Sequence, residues 1–484
     1  MPDEVNPSAS RALLVAGTTS DAGKSILTTG LCRAFSRRGV KVAPFKAQNM
    51  SNNSMVCTGP DGGGAEIGRA QWIQALAARV EPEAAMNPVL LKPGSDRRSH
   101  VVVMGRPSGE VDARDFVEGR ERLATAAYDA FDDLASRHDV VLAEGAGSPT
   151  EINLRASDYV NMGLARHASI PTVVVGDIDR GGVFAAMFGT VALLEPADQA
   201  LVAGFVVNKF RGDESLLEPG LRELSRLTGR RVFGVVPWHP DLWLDSEDAL
   251  DLDGRRSGAG ACKVAVVRLP RISNFTDVDA LGVEPDLDVV FVSDPRGLSD
   301  AHLVVLPGTR ATLSDLAWMR TRGLDAAVLA HAAAGKPVLG ICGGCQMLGR
   351  TIEDPSGTEG APGARAQGLG LLDLTTTFGE EKVLRLHEPA GYEIHHGRVT
   401  GSTRSGAVLG TMVHGTLEDD ATRASYLQDA LDITSRASFA AARERRLDVL
   451  GDLVEQHLDV EALLDLATHG APASLPVLPP GDRR

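Results

Sequence analysis

Two stretches of this sequence place reactive residue types at spacings that do chemistry. In residues 335–349, GKPVLGICGGCQMLG, a short apolar strand runs into a turn carrying Cys342 and then into the start of a helix. Gly340 and Gly344 flank Cys342 at minus two and plus two, the elbow spacing G-x-C-x-G. A nucleophile on such a turn has strained backbone angles, and only small neighbours fit where strand and helix crowd it. The helix N-terminus beside the thiol favours the thiolate. Cys345 has Gly343 before it but Met347 after it, so it fits the elbow less well. The pair also reads formally as C-x-x-C, a redox or half-zinc signature, yet no second cysteine pair accompanies it. A buried structural cysteine is the remaining reading, and the strand–turn–helix context favours the nucleophile.

A thiolate nucleophile needs a base brought close by the fold, normally histidine. The second half of the chain offers His302, His331, His387, His395, His396 and His414. His414 ends a short β run at a glycine turn, GTMVHGTL, and is preferred to His395 and His396 for that tighter turn. No acid stands two residues further on, where Thr416 is found. The Pro307-Gly308-Thr309 turn follows the strand that precedes the elbow strand. Its backbone N–H near Gly308, with that of Gly343, is a candidate oxyanion hole.

The second stretch is Gly17-TTSDA-Gly23-Lys24-Ser25, set between the apolar run ALLVA and a helical pattern that ends at Gly39. Strand, glycine-rich loop and helix together are the context of a phosphate-binding loop, one residue longer than G-x-x-x-x-G-K-[ST]. Gly17, Asp21, Gly23, Lys24 and Ser25 are the ATP-binding candidates. Backbone N–H groups cradle phosphates, Lys24 neutralises charge, and Ser25 can hold Mg²⁺. Three later positions join them. Lys46 stands in an amide- and hydroxyl-rich loop, FKAQNMSNNS, where it can grip a carboxylate or phosphate. Glu144 ends the strand DVVLAE, a position that commonly binds Mg²⁺. Asn208 ends LVAGFVVN, where its amide can read a purine edge. Asp177 and Asp179 close another strand of the same kind.

These residues require elements to hold them. The chain has 484 residues, too many for one hydrophobic core. Repeated apolar strands between helical patterns predict α/β architecture with a doubly wound parallel sheet. The polar, glycine-rich stretch 251–261 marks a boundary between residues 1–251 and 262–460, the latter again α/β, with 470–484 as a flexible tail. Hydrophobic content of 43% and charged content of 23% are those of an ordinary soluble protein. A net charge of −15 argues against a nucleic-acid surface. No apolar run reaches bilayer-spanning length, the first residues do not read as a signal peptide, and five scattered cysteines form no disulfide framework. The expectation is a cytoplasmic protein with no membrane partner, and a homo-oligomer is left open.

Taken together, GTTSDAGKS, APFKAQNMSNNS, EGAGS, LPGTRAT, GICGGCQMLG, GYEIHHGR and GTMVHG resemble the cobyric acid synthase family, in order from about residue 12 to about residue 417. The resemblance implies an N-terminal synthetase domain like dethiobiotin synthetase and a C-terminal class I glutamine amidotransferase domain. It implies Cys342 as nucleophile with His414 as partner, a Cys–His dyad being favoured because Thr416 stands where many class I glutaminases have glutamate, and Glu393 as an open candidate for a third member. It further implies ATP, Mg²⁺ and L-glutamine as ammonia donor. The implied reaction amidates the b, d, e and g carboxylates of a corrinoid, (adenosyl)cobyrinic acid a,c-diamide. Rival readings are the enzyme that makes the a,c-diamide, CTP synthase or another synthetase–glutaminase fusion, and a partitioning ATPase. The last normally has a second lysine early in its phosphate loop, where Thr18, Thr19 and Ser20 stand here, and would not need the cysteine elbow.

Overall fold

The structure is a computed structural model that describes residues 11–59, 61–93, 98–112, 119–239, 256–257 and 260–479. Most of the boundary stretch 251–261 lies outside the described residues.

The N-terminal half is built on a six-stranded, wholly parallel sheet. Its order is Arg231–Pro237, Val202–Phe210, Thr172–Asp177, Ala12–Gly17, Val140–Glu144, Val42–Phe45. Ala12–Gly17 is buried at every position, as expected of a strand covered on both faces. Between Val140–Glu144 and Thr172–Asp177 the chain crosses from one side of the central strand to the other. In open α/β sheets such crossings leave a crevice for ligands outside the carboxyl ends of the strands. Two small antiparallel units are added: a hairpin, Ser54–Thr58 with Gly64–Gly68, and a meander, Val89–Pro93, Arg98–Val103 and Arg106–Asp112, that pairs with Gln48–Met50.

The second half has its own sheet with a parallel centre: Leu287–Val292, Cys262–Val267, Leu303–Leu306, Val338–Ile341, Val408–Thr411. A separate antiparallel pair, Leu374–Leu386 with Tyr392–Gly401, reaches the hairpin of the first half. Expected and observed fold class agree.

Helices Phe439–His457 and Val460–His469 leave the second sheet and pack on the first. Leu447, Val454, Leu458 and Leu463 share a core with Leu13, Val15, Leu27 and Leu31. Each such side chain contributes about 1.5–3 kcal/mol of burial. Fully buried Arg33 pairs with Glu444 at 2.9 Å, and Arg37 with Asp452 at 2.6 Å. The segment expected as a flexible tail is also anchored near its end. Leu478 is buried, and its N–H donates to Gln199 Oε1 at 2.7 Å. Apolar residues late in the chain had a buried face to join, and their proline-rich setting hid it. Among the described residues no helix is long and apolar enough to cross a membrane.

Candidate active site

Strand Val338–Ile341 delivers Cys342 to the start of helix Gly343–Leu348. Cys342 has φ 49° and ψ −108°, a conformation most side chains avoid, and its N–H donates to Thr411 O at 2.7 Å. The elbow expected from the glycine spacing is therefore present. Gly343 lies so close to the Pro307–Thr309 turn that a Cβ there would stand 2.6 Å from Thr309 Cγ2. A Cβ on Gly308 would stand 3.0 Å from the His414 ring. Both oxyanion candidates thus border Cys342 and His414, and both need glycine.

His414 is 1% exposed and lies close enough to Cys342 for the thiol to act on its titration. Its Nδ1 lies 2.7 Å from Asp277 Oδ2, while Asp277 Oδ1 accepts the Gly415 N–H at 2.8 Å. Burial pulls the imidazole down, but the charges of Asp277 and Cys342 and their hydrogen bonds prevail and push it up to about 10. Asp277 was missed at the sequence level. It stands in SNFTD, the polar loop after strand Cys262–Val267, and only that position at a carboxyl strand end hinted at a role. Glu393, the open third-member candidate, is engaged elsewhere: Oε2 pairs with His387 at 2.9 Å and Oε1 with His395 at 3.2 Å. The reason is geometric, since Asp277 already fills the far side of the imidazole. Cys345 is fully buried, its thiol pushed up to about 12 by burial and by Cys342.

The phosphate-loop residues also converge. Gly23 has φ 94°, and a Cβ there would lie 2.1 Å from Asn208 Nδ2, so glycine is required twice over. Lys24 folds back over the loop, donating to Thr19 O at 2.9 Å, Ser20 O at 3.1 Å and Gly147 O at 3.2 Å. Gly17 lies under that ammonium, and a Cβ there would meet Lys24 Nζ at 3.0 Å. Asp21 is exposed and pairs with Arg180 at 2.7 Å. Asn208 donates to Ala22 O at 2.8 Å, so its amide N–H braces the loop. Asp177 pairs with Lys209 at 2.9 Å.

Glu144 is the centre of this group. Its Oε1 accepts from Ser25 Oγ and from Lys46 Nζ, both at 2.9 Å, and its Oε2 from Gln74 Nε2 at 2.6 Å. Burial raises the carboxyl, but Lys46 above all, then Gln74 and Lys24, hold it below the usual range. Lys46 is 4% exposed, so the cation expected to grip substrate is here paired with Glu144. Ser25 Oγ and Glu144 Oε1 are hard oxygen donors side by side. No group of three or more His, Cys, Asp or Glu residues placed to hold a metal occurs among the described residues. That sparse set fits Mg²⁺, which is held by one or two protein oxygens and completed by phosphates and water.

One helix reaches from the phosphate site to the C-terminal half. Arg69–Ala78 carries Gln74 to Glu144, and Arg69 to Glu418 at 3.2 Å, four residues beyond His414. Gln74 and Arg69 gave no sequence signal, because an isolated glutamine or arginine on a helix has no diagnostic spacing.

Comparison with known proteins adds an independent line. A family model described as the CobQ/CobB/MinD/ParA nucleotide binding domain matches residues 13–251, and one described as the CobB/CobQ-like glutamine amidotransferase domain matches residues 263–427. The chain is 72% identical to a protein of Mycobacterium ulcerans and 72% identical to one of Mycolicibacterium gilvum, both named cobyric acid synthase. It is 70% identical to a protein of the same name from Mycobacterium tuberculosis. Each match covers 97% of this chain and 99% of the relative.

Proposed function

This chain belongs to the cobyric acid synthase family, and from that membership we propose which of its residues carry out the glutamine- and ATP-dependent amidation of cobalamin biosynthesis. The observation that carries the assignment is the pairing, in one chain, of a strained Cys342 on a His414–Asp277 pair with a phosphate loop closed on Glu144.

In the C-terminal half, Cys342 Sγ attacks the side-chain amide carbon of glutamine. Backbone N–H groups at Gly343 and the Gly308 turn face the developing oxyanion. Asp277 holds Nδ1 of His414, which leaves Nε2 for the thiol and for the leaving nitrogen. His414 gives its proton to that nitrogen, ammonia departs, and water releases glutamate from the thioester.

In the N-terminal half, Gly23, Lys24 and Ser25 hold the ATP phosphates. Ser25 and Glu144 would hold Mg²⁺, which neutralises charge on the transferring phosphoryl group. Lys24 shifts from the loop carbonyls to the phosphates. Lys46 is the cation nearest the carboxylate to be activated, and it exchanges Glu144 for that substrate group. The carboxylate takes the γ-phosphoryl group, ADP leaves, and ammonia displaces phosphate to give the amide. The substrate is a corrinoid, read as the a,c-diamide, amidated at b, d, e and g. Five free cysteines suit a reducing, cytoplasmic setting.

The test is incubation of the protein with the diamide, ATP, Mg²⁺ and glutamine, followed by mass spectrometry. A product with four carboxylates converted supports the reading, and an unchanged diamide overturns it.

A further inference from the structure

Asp277 holds His414 by one edge of its ring, with Oδ2 2.7 Å from Nδ1. One hydrogen bond leaves an imidazole free to tilt, because the outer torsion of histidine is broad. Tyr392 supplies a second hold. Its ring is stacked on the imidazole, with centroids 5.3 Å apart and planes inclined by 24°. The main chains are tied as well: Tyr392 N–H donates to His414 O at 2.9 Å, and His414 N–H to Tyr392 O at 2.8 Å. Gly391, at φ 113°, permits that approach, since a Cβ there would stand 2.8 Å from His414 O.

The ring that makes this wall is itself fixed. Tyr392 is 2% exposed and, with Ile394, lies in the core of the first half, the one that holds Met55, Val56, Ala65 and Ile67 of the hairpin. Strand Tyr392–Gly401 packs on Ser54–Thr58 across the joint. Ile394 and His395, further along that strand, line the cavity that Cys342 borders. Burial first and Asp277 next push the phenol well above its ordinary value of 10, so a neutral ring faces His414. The face of such a ring attracts a cation, here the imidazolium that accompanies a thiolate.

We propose that Tyr392 is a positioning residue: its ring, anchored in the core of the first half, holds the His414 imidazole in the plane where Asp277 and Cys342 meet it. The proposal rests on Cys342 and His414 being the glutaminase nucleophile and base. Asp277 comes from the same half as His414. Tyr392 comes from that half too, but its ring is buried in the other, so it is a contact through which the packing of the first half bears on the base.

The competing account is that Tyr392 only fills the interface. Tyr392→Met separates the two, since methionine adapts to an irregular gap and keeps it apolar but has no ring face. Tyr392→Phe is the companion, keeping the ring and losing only the hydroxyl. Each full-length variant is assayed for glutamate release from glutamine, with kcat and KM taken separately, and for amide synthesis from added ammonia. Tyr392→Leu carries the same comparison should Tyr392→Met not fold. Tyr392→Met is also combined with Asp277→Asn.

Tyr392→Met is expected to lower glutaminase kcat about 10- to 100-fold with KM nearly unchanged, the mark of a misplaced base, and to spare synthesis from ammonia. Tyr392→Phe should keep most of the wild-type kcat. In the double variant the ring's loss should cost less than it does alone, because Asp277 and Tyr392 hold the same imidazole. A wild-type kcat in Tyr392→Met overturns the proposal. So does a loss in Tyr392→Phe as large as that in Tyr392→Met, which would make the hydroxyl and not the ring the active part. A fall in kcat joined by a raised KM and lost synthesis from ammonia is the mark of a filler and overturns it too, as does a double variant showing the full product of the two losses. If Cys342→Ser still hydrolyses glutamine, the underlying reading fails instead, and the two failures are distinct.

Discussion

Asp277 and His414 are 137 positions apart in sequence, yet Oδ2 of one lies 2.7 Å from Nδ1 of the other, both almost fully buried. The contact orients the imidazole toward Cys342 and keeps it charged up to about pH 10. Asp277→Asn keeps the shape and removes the charge, leaving burial to pull the imidazole down. Glutaminase kcat is expected to fall by about 10²–10⁴-fold, with ammonia-dependent synthesis retained. The limb of the pH profile set by His414 should move from about 10 to lower pH. An unmoved limb, measured on glutamate release, would reduce Asp277 to a structural ligand.

The two cysteines of the elbow are separated by exposure as well as spacing. Cys342 borders the cavity, whereas Cys345 faces Gly410, where a Cβ would lie 2.5 Å from its sulfur. Cys342→Ser should abolish glutamine-dependent synthesis and spare synthesis from added ammonia. Cys345→Ser, a small change in a dry contact, should keep both activities. Loss of glutaminase activity in a folded Cys345→Ser protein, with Cys342→Ser still active, would reverse the assignment.

The sequence made both chemistries legible because their motifs are local. A glycine-framed loop and a glycine-framed elbow each announce themselves within ten residues. His414 could be chosen among six histidines by its turn. Asp277 could not, because its partner is brought to it only by the pairing of parallel strands. Glu144 was legible as a strand end, but its pairing with Lys46 was not, since that depends on two strands lying side by side. That the helices from Phe439 onward pack on the first sheet is hidden for a related reason. An amphipathic face shows that a helix is covered, and not which sheet covers it.

Lys24 and Glu144 test the synthetase half without disturbing the glutaminase. Lys24→Ala removes the ammonium that meets the phosphates, so synthesis should fail with either nitrogen source while glutamine hydrolysis persists. Glu144→Gln keeps the bond from Ser25 but leaves Lys46 without its buried counter-charge. Its amide synthesis is expected to drop by about 10²-fold or more, with a raised Mg²⁺ requirement, because a carboxylate ligand is replaced by a neutral oxygen. Near-normal synthesis with unchanged Mg²⁺ dependence would remove Glu144 from the metal site.

The pairing of Glu66 with two lysines makes an acid-labile joint between the halves of the chain. Glu66 belongs to the N-terminal hairpin, Lys92 to the neighbouring meander, and Lys382 to strand Leu374–Leu386 of the second half. Lys382 Nζ donates to Glu66 Oε2 at 2.5 Å, and Lys92 pairs with Oε1. Burial alone would raise the Glu66 carboxyl, but Lys382 first and Lys92 next hold it far below its ordinary value of 4.5. A carboxyl lowered on folding contributes stability that is fully present above the unfolded value and disappears as pH falls through the folded one. The loss should therefore begin below about pH 4.5 and deepen with further acidification. Lys92 opposes folding at neutral pH, since burial pushes it down to about 8 from 10.5, but its dependence on pH runs in the same direction. The unfolded chain binds more protons between those values, so this group adds stability as pH rises from 8 to 10.5. Glu66→Gln leaves both ammonium groups without a counter-charge in a dry interface, a cost of about 3–5 kcal/mol. Unfolding midpoints at pH 7 and pH 4 decide the point. The variant should be much weaker at pH 7 and should lose less than the wild type on going to pH 4. Equal midpoints at pH 7, or an equal drop in both proteins, would show that the joint carries no stability of its own.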